Sequence, residues 1–293
     1  MRTIASFTIV LLLVATAAWA QDEPYTSDRT LYGIADGVGL IADIHVPKGD
    51  KNGLAVIDVI SGAWYSDEGK VRDHKRAGFY DVLCSRGYTV FGIWPGSRTK
   101  FTAEEMVAHL KTGIRWVKSK APAYGCDAER IGLTGASAGG HLACLTSLQP
   151  EPEKADDKNE LMKFSTDVKA VAVFFPPADF VEWVPGTPSD LSRFEDVLFG
   201  ESMAGKSPEE IQAKARAISP ALLPIQSPPP FLLIHGDADD MVPLSHSERM
   251  LAALKAAGGE AELIVKPGGG HPWLTINEEV VKLVDWLDAH LKK

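Results

Sequence analysis

Gly135-Ala136-Ser137-Ala138-Gly139 follows an apolar run at residues 130–134 and leads directly into Gly140-His141-Leu142-Ala143-Cys144-Leu145. Strand, tight turn and helix in that order constrain the fold more than any other stretch of the chain. A serine on such a turn is forced into strained backbone, which requires small residues two places before and after it and drives its hydroxyl clear of the sheet. Gly135 and Gly139 meet that requirement. A bare G-x-S-x-G pattern also arises as a loop of small residues, and the flanking strand and helix are what make Ser137 a candidate nucleophile.

The rest of the chain continues the alternation. Largely apolar runs at 54–60 and 88–94, rich in Val and Ile, are expected as strands buried on both faces of a parallel sheet. Residues 130–134, 168–175, 230–235 and 260–266 are further strand candidates. Two alternating runs, 30–34 and 40–46, flank Asp36-Gly37, a hairpin-type turn, and predict antiparallel edge strands. Helices are expected at 71–85, ended by Gly87, and at 103–118, where Met106, Leu110, Ile114 and Val117 recur at helical spacing. A last helix, 277–291, is expected to bury Val280, Val281, Val284, Leu287 and Leu291. Ser207 with Glu210 and Ser245 with Glu248 have the spacing of capping boxes. The pattern specifies an open, mostly parallel α/β sheet with helices on both sides. Residues 178–222 break the rhythm with Pro185, Pro188 and Ser219-Pro220, and are expected to form a small cap over the carboxyl edge of the sheet.

With 293 residues, 45% hydrophobic and 24% charged, the chain can bury one large core. Residues 1–20 show the charged, apolar and small-residue zones of a secretory signal, with Ala18-Trp19-Ala20 before the expected cleavage. The domain proper is therefore expected at 21–293, in a periplasmic or secreted location. An uncleaved anchor is the competing reading, but the apolar part is short for a span of about 20 residues. Cys84, Cys126 and Cys144 are odd in number and lack metal-like spacing, so they are expected as small core residues with one disulfide open to them. The formal charge is −9 without a basic cluster, which argues against nucleic acid and anionic lipid as partners, and no stable membrane insertion is expected after cleavage. Nothing in the sequence sets an oligomeric state.

A serine hydroxyl is a poor nucleophile at neutral pH, so Ser137 needs a base, and the base an orienting carboxylate. His271 follows the 260–266 strand and the run Gly268-Gly269-Gly270, a placement that suits the base. His290, on the terminal helix, is more simply a packing residue. For the acid, the loop after 230–235 offers Asp237, Asp239 and Asp240, and composition does not separate them. Carboxylates with a histidine also suit a bound cation, but serine chemistry already accounts for them, so no metal and no cofactor are expected.

The motifs Gly135-x-Ser137-x-Gly139-Gly140-His141, His235-Gly236-x-x-Asp239-x-x-Val242-Pro243 and Pro267-Gly268-Gly269-Gly270-His271 together resemble the α/β-hydrolase fold. Within it the chain is similar to hormone-sensitive-lipase-like carboxylesterases and bacterial feruloyl or acetyl-xylan esterase-like proteins, from about Tyr32 to the carboxyl terminus. The resemblance implies a Ser137–His271–Asp239 triad. It also implies an oxyanion hole of backbone N–H groups: Ala138 after the nucleophile, and Gly62 and Ala63 in the loop Ile60-Ser61-Gly62-Ala63-Trp64. That family usually has H-G-G-G-W or H-G-G-A-W there, so Ile60 and Ser61 are departures. So are Pro95-Gly96-Ser97-Arg98, where a Tyr-Arg pair is common, and His109, where an acidic residue is expected.

Trp64, Trp183 and Trp273 fall in segments expected near the site, and aromatic walls suit a sugar face or an aromatic acyl group. Packing under the cap is the plainer role for them. The expected substrate is a small-molecule or carbohydrate ester with a short acyl chain, acetyl and feruloyl esters among them; no long apolar lid favours long-chain lipids. The alternatives are a peptidase or a formamide-type amide hydrolase of the same fold, and a binding protein that keeps the fold without turnover.

Overall fold

The computed structural model describes residues 23–293, and the expected signal at 1–20 lies outside them. In chain order the strands are β1 (Tyr25–Ala35), β2 (Val38–Pro47), β3 (Ala55–Val59), β4 (Thr89–Ile93), β5 (Ile131–Ala136), β6 (Ala170–Phe174), β7 (Phe231–Gly236) and β8 (Ala261–Lys266). The α-helices are α1 (Glu68–Arg76), α2 (Phe79–Ser85), α3 (Ala103–Lys120), α4 (Ala138–Ser147), α5 (Glu195–Phe199), α6 (Pro208–Ala217), α7 (Ser245–Ala256) and α8 (Ile276–Leu291). All eight strands form one sheet in the order β1-β2-β4-β3-β5-β6-β7-β8. β1 and β2 pair antiparallel about the Asp36-Gly37 turn, β2 pairs antiparallel with β4, and every pair from β4 to β8 is parallel. This is an α/β-hydrolase sheet, and the expected fold class holds.

Parallel strands need crossover helices on both faces, so their residues are buried on both sides. Every residue of β3, β4 and β6 is buried. Alternate side chains feed two cores: Ala55, Ile57, Val59 and Leu133 pack with α3 and α4 on one face, and Val56, Val90, Ala172 and Phe174 pack with α2 and α8 on the other. β5, which ends one residue before Ser137, lies between β3 and β6 near the middle of the sheet. The three cysteines are buried and free, and burial pushes the Cys84 thiol up to about 12.

Three helical expectations need correction. The helix expected over 71–85 is two helices, because Gly78 takes φ +81° and breaks the run between α1 and α2. Ser207 and Glu210 do form a capping box on α6, but Ser245 caps nothing: Leu244 is already in helical conformation, φ −49° and ψ −31°, whereas a capping residue needs extended backbone. On α8, Val281 is 39% exposed and Leu283 takes the buried place, because the face that includes Val280, Val284, Leu287 and Leu291 runs through position 283.

Residues 178–222 leave β6 and return toward β7 as short pieces: a 3₁₀ turn (Leu191–Phe194), α5, α6 and a second 3₁₀ turn (Pro220–Leu222). The Ala221 N–H donates to the Ala178 carbonyl at 3.0 Å and closes the base of the segment. Phe180, Leu191, Phe194, Val197, Leu198 and Ile218 join the core on the α3–α4 face. The segment is thus packed into the body of the domain.

Candidate active site

Ser137 sits at the sharp turn from β5 into α4 with φ +53° and ψ −120°, backbone that an L-residue adopts only under constraint. The constraint is visible on both sides. A Cβ on Gly135 would lie 2.6 Å from the Gly139 carbonyl carbon, and one on Gly139 would lie 2.4 Å from the Val59 carbonyl oxygen. The Ser137 amide donates to Phe174 O (3.0 Å) and the Gly139 amide to Ser61 O (3.0 Å), tying the turn to β6 and to the loop after β3.

The loops after β7 and β8 bring Asp239 and His271 to this point. His271 Nδ1 lies 2.6 Å from Asp239 Oδ2, and since an ionised carboxylate only accepts, Nδ1 carries the proton. Nε2 is then unprotonated and lies 2.9 Å from Ser137 Oγ, whose O–H can donate to it. Phe175, in left-handed backbone at φ +34°, packs its ring against the imidazole at 4.3 Å between centroids.

Of the three aspartates left open by composition, only Asp239 is buried, at 8% exposure. Its Oδ1 accepts the amides of Met241 and Val242, both at 2.9 Å, and its Oδ2 also faces His235 Nε2 at 3.3 Å. Burial alone would raise this carboxyl, but the contacts from His235, His271 and the Val242 amide outweigh it and hold it well below the usual carboxylate range. Asp237 is exposed and braces the loop that carries His271, since its Oδ1 accepts the Gly268 amide at 2.6 Å. The Ala238 N–H to Gly269 O bond adds a second tie at 2.9 Å. Asp240 is exposed.

On the opposite side, Gly62, Ala63, Trp64 and Tyr65 form a tight two-residue turn. The Gly62 amide donates to Tyr65 O (3.0 Å) and the Tyr65 amide to Gly62 O (2.9 Å). The Gly62 N–H is therefore occupied, which removes it from the expected oxyanion donors. The Ala63 amide takes no carbonyl among the described residues, and the Ala138 amide is one of the first N–H groups of α4, which have no partner inside a helix. Ala63 at φ +48° and Trp64 at φ +61° both occupy left-handed backbone, at about 1–2 kcal/mol each for a non-glycine residue.

The tryptophans separate. Trp64 is only 5% exposed and packs edge-on against His141 and Phe194 and tilted against Phe180; it is a packing residue and not a wall of the site, because the turn directs its ring inward. Trp183 is half-buried and its indole N–H donates to Met241 O at 3.1 Å, linking the 178–222 segment to the loop that holds Asp239. Trp273 is half-buried beside His271, donates to Glu279 at 2.8 Å and lines an open groove of about 530 Å³ with Lys266, Pro267 and Leu274. Sequence reasoning quoted His235 and His141 as motif residues without giving them a role, and it missed Phe175. His235 opens the motif that contains Asp239 and His141 closes the one that contains Ser137, whereas no local signal marks Phe175. Among the described residues no His, Cys, Asp and Glu group is arranged to hold a metal ion, and no helix is long and apolar enough to cross a membrane.

An α/β-hydrolase sheet that sets a serine, a histidine and a buried aspartate on the loops after β5, β8 and β7 defines the class of protein. The sequence matches the BD-FAE family over residues 42–254, and the chain belongs to that family. It is 29% identical over 238 residues to a probable isoprenylcysteine alpha-carbonyl methylesterase of Oryza sativa subsp. japonica, covering 78% of this chain and 54% of that protein. It is 27% identical over 253 residues to the esterase LipC of Mycobacterium tuberculosis, covering 83% and 59%. The chain thus spans little more than half the length of these relatives. A truncated carbohydrate esterase from gut microbiota has the same fold, with a TM-score of 0.76 at 24% identity over 93% of this chain and 99% of that one.

Proposed function

We propose that the protein is a serine hydrolase that cleaves carboxylic esters through an acyl-enzyme. The 2.9 Å contact between Ser137 Oγ and His271 Nε2 at a strained strand-to-helix turn carries this reading. Ser137 Oγ attacks the ester carbonyl while its proton passes to His271 Nε2. The imidazolium so formed is stabilised by ionised Asp239 on Nδ1. The carbonyl electron pair moves to oxygen, where the Ala138 and Ala63 amides and the N-terminal end of the α4 dipole oppose the new charge. Collapse expels the alcohol, which takes the proton from His271. Water, deprotonated by the same imidazole, then attacks the acyl-enzyme, and the acid leaves as Ser137 regains its proton.

The natural substrate class is a short-chain ester, with acetyl or feruloyl esters of carbohydrates as its specific form. What supports this is the rim: exposed Tyr65, Val184, Met241 and Leu274 stand on loops after β3, β6, β7 and β8, with half-buried Trp183 among them, and apolar and aromatic surfaces suit sugar faces and aromatic acyl groups. The zones read in residues 1–20 support export to the periplasm or the exterior. The test is turnover of p-nitrophenyl acetate, acetylated xylan and methyl ferulate, with fluorophosphonate labelling and a Ser137→Ala control. Labelling confined to Ser137 with turnover of at least one ester is expected. No labelling together with no turnover would refute the enzyme.

A further inference from the structure

The turn that carries the Ala63 amide has two consecutive non-glycine residues in left-handed backbone. Left to itself, such a turn relaxes. What prevents relaxation converges on Trp64. Its indole N–H donates to His141 Nδ1 at 3.0 Å, and His141 Nε2–H in turn donates to Ile218 O at 2.7 Å. That pairing fixes the tautomer, since one ring nitrogen accepts and the other donates; burial keeps the ring neutral by pushing His141 down to about 4. Trp64 O accepts the Arg98 amide at 2.8 Å. The Arg98 guanidinium grips the Asp196 carboxylate, with Nε to Oδ2 at 2.7 Å, and donates to Arg193 O at 3.0 Å. Phe180 and Phe194 close around the indole. Residues 191–199 and 218 all belong to the segment that leaves β6, so the turn is held from that segment and from α4, the helix that Ser137 begins.

We propose that Trp64, fixed by His141 and by the 178–222 segment through Ile218 and Asp196, is the positioning residue that aims the Ala63 amide at the oxyanion. Trp64 touches no reacting atom; it acts through the amide of its neighbour. The segment over the site therefore sets the rate of acyl transfer as well as access to it. This rests on the ester-hydrolysis reading.

Trp64→Phe keeps an aromatic ring but removes the N–H together with the five-membered part of the indole, so it loosens the turn and leaves some space in the core, whereas His141→Leu removes the same hydrogen bond and leaves the indole in place. Losing an oxyanion donor outright costs about 100- to 1000-fold, and a donor merely misaimed loses less. The expected result is kcat reduced roughly tenfold or more, with KM within about twofold. The affinity of a trifluoromethyl ketone, which forms a tetrahedral adduct, should fall in parallel, while the pH dependence of kcat stays in place because the Ser137–His271–Asp239 contacts are untouched. His141→Leu should act in the same direction, and His141→Gln, which retains an acceptor and a donor, should recover part of the loss. Folded Trp64→Phe and His141→Leu with wild-type kcat and analogue affinity would overturn the proposal, as would a loss confined to KM. A wild-type protein that turns over no ester and is not labelled at Ser137 overturns the ester-hydrolysis reading instead, so the two failures are distinguishable.

Discussion

Gly139→Ala is the smallest change that tests whether the site depends on how closely α4 approaches β3. The added Cβ would meet Val59 O at 2.4 Å and Ser61 O at 3.1 Å. Restoring ordinary contact near 3.4 Å to Val59 O requires 1.0 Å of separation. Neither side gives easily: Val59 is paired in register with Ile93 and Gly135 on its two neighbours, and Gly139 is in the first turn of α4, bonded to Ser61 O. The separation would therefore open between the Ser137 turn and the loop bearing Ala63. Overpacking of this kind costs about 1–3 kcal/mol, roughly 2–5 °C of melting temperature at this chain length. Misplacing reacting groups by about 1 Å costs on the order of 100-fold in rate. The assay is kcat/KM on p-nitrophenyl acetate together with thermal unfolding by circular dichroism. Gly49→Ala serves as control, because a Cβ there meets no atom within 4 Å, and it should leave both readouts unchanged. A folded Gly139→Ala protein within threefold of wild-type kcat/KM would show that the approach of α4 to β3 does not set the site.

Asp239→Asn removes the charge that holds the Nδ1 proton of His271, and kcat should fall by about 10⁴-fold; a variant with a tenth of wild-type activity would dissociate Asp239 from the reaction. Because contacts hold the Asp239 carboxyl well below the ordinary 3.8, its contribution to stability is present above that value and is lost only as pH falls through the lower folded-state value. The buried His74–Asp58 pair, 2.7 Å apart, behaves in the opposite sense. Burial opposes the charged imidazole, yet the attraction of Asp58 outweighs it and His74 is raised above its ordinary 6.5, so the pair stabilises fully below 6.5 and less as pH rises through the folded-state value. Urea unfolding of Asp58→Asn should show a larger deficit against wild type at pH 5.5 than at pH 9, and equal deficits would contradict the assignment. Ser207→Ala should cost about 1 kcal/mol through loss of the α6 cap, whereas Ser245→Ala, whose Oγ is buried without a partner, should cost nothing measurable in the same melt.

The interior strands were legible because burial on both faces leaves a dense signature: each of 54–60, 88–94, 130–134, 168–175 and 230–235 contains or overlaps its strand to within two residues; 260–266 does so too, although β8 lies at the edge of the sheet and has no fully buried residue. Helix ends were less legible because they depend on single dihedral angles. Gly78 and Gly87 look alike in sequence, yet one divides a helix and the other follows one. Ser207 and Ser245 share the same spacing to a glutamate, and only the backbone of the preceding turn separates a cap from a buried hydroxyl. Asp239 could not be told from Asp237 and Asp240 by composition, since burial distinguishes the first and a bond to the Gly268 amide distinguishes the second.

The least legible residues share one physical trait. Six non-glycine residues among those described have positive φ, and four of them, Ala63, Trp64, Ser137 and Phe175, belong to the turns that build or touch the site. Local propensity argues against each of these conformations, at about 1–3 kcal/mol apiece, so a reading from propensity must fail where they occur. Only tertiary contacts offset such strain: Phe174 O and Ser61 O on the serine turn, His141 on the Ala63–Trp64 turn, Ile234 O on the Phe175 amide. These contacts come from β6, β7, α4 and the loop after β3, all distant in sequence from the residues they hold. The Gly-x-Ser-x-Gly motif is readable because glycine is the local mark of one such distant contact. The Ala63–Trp64 turn has no glycine at its strained positions, and the residues that hold it are found only by folding the chain.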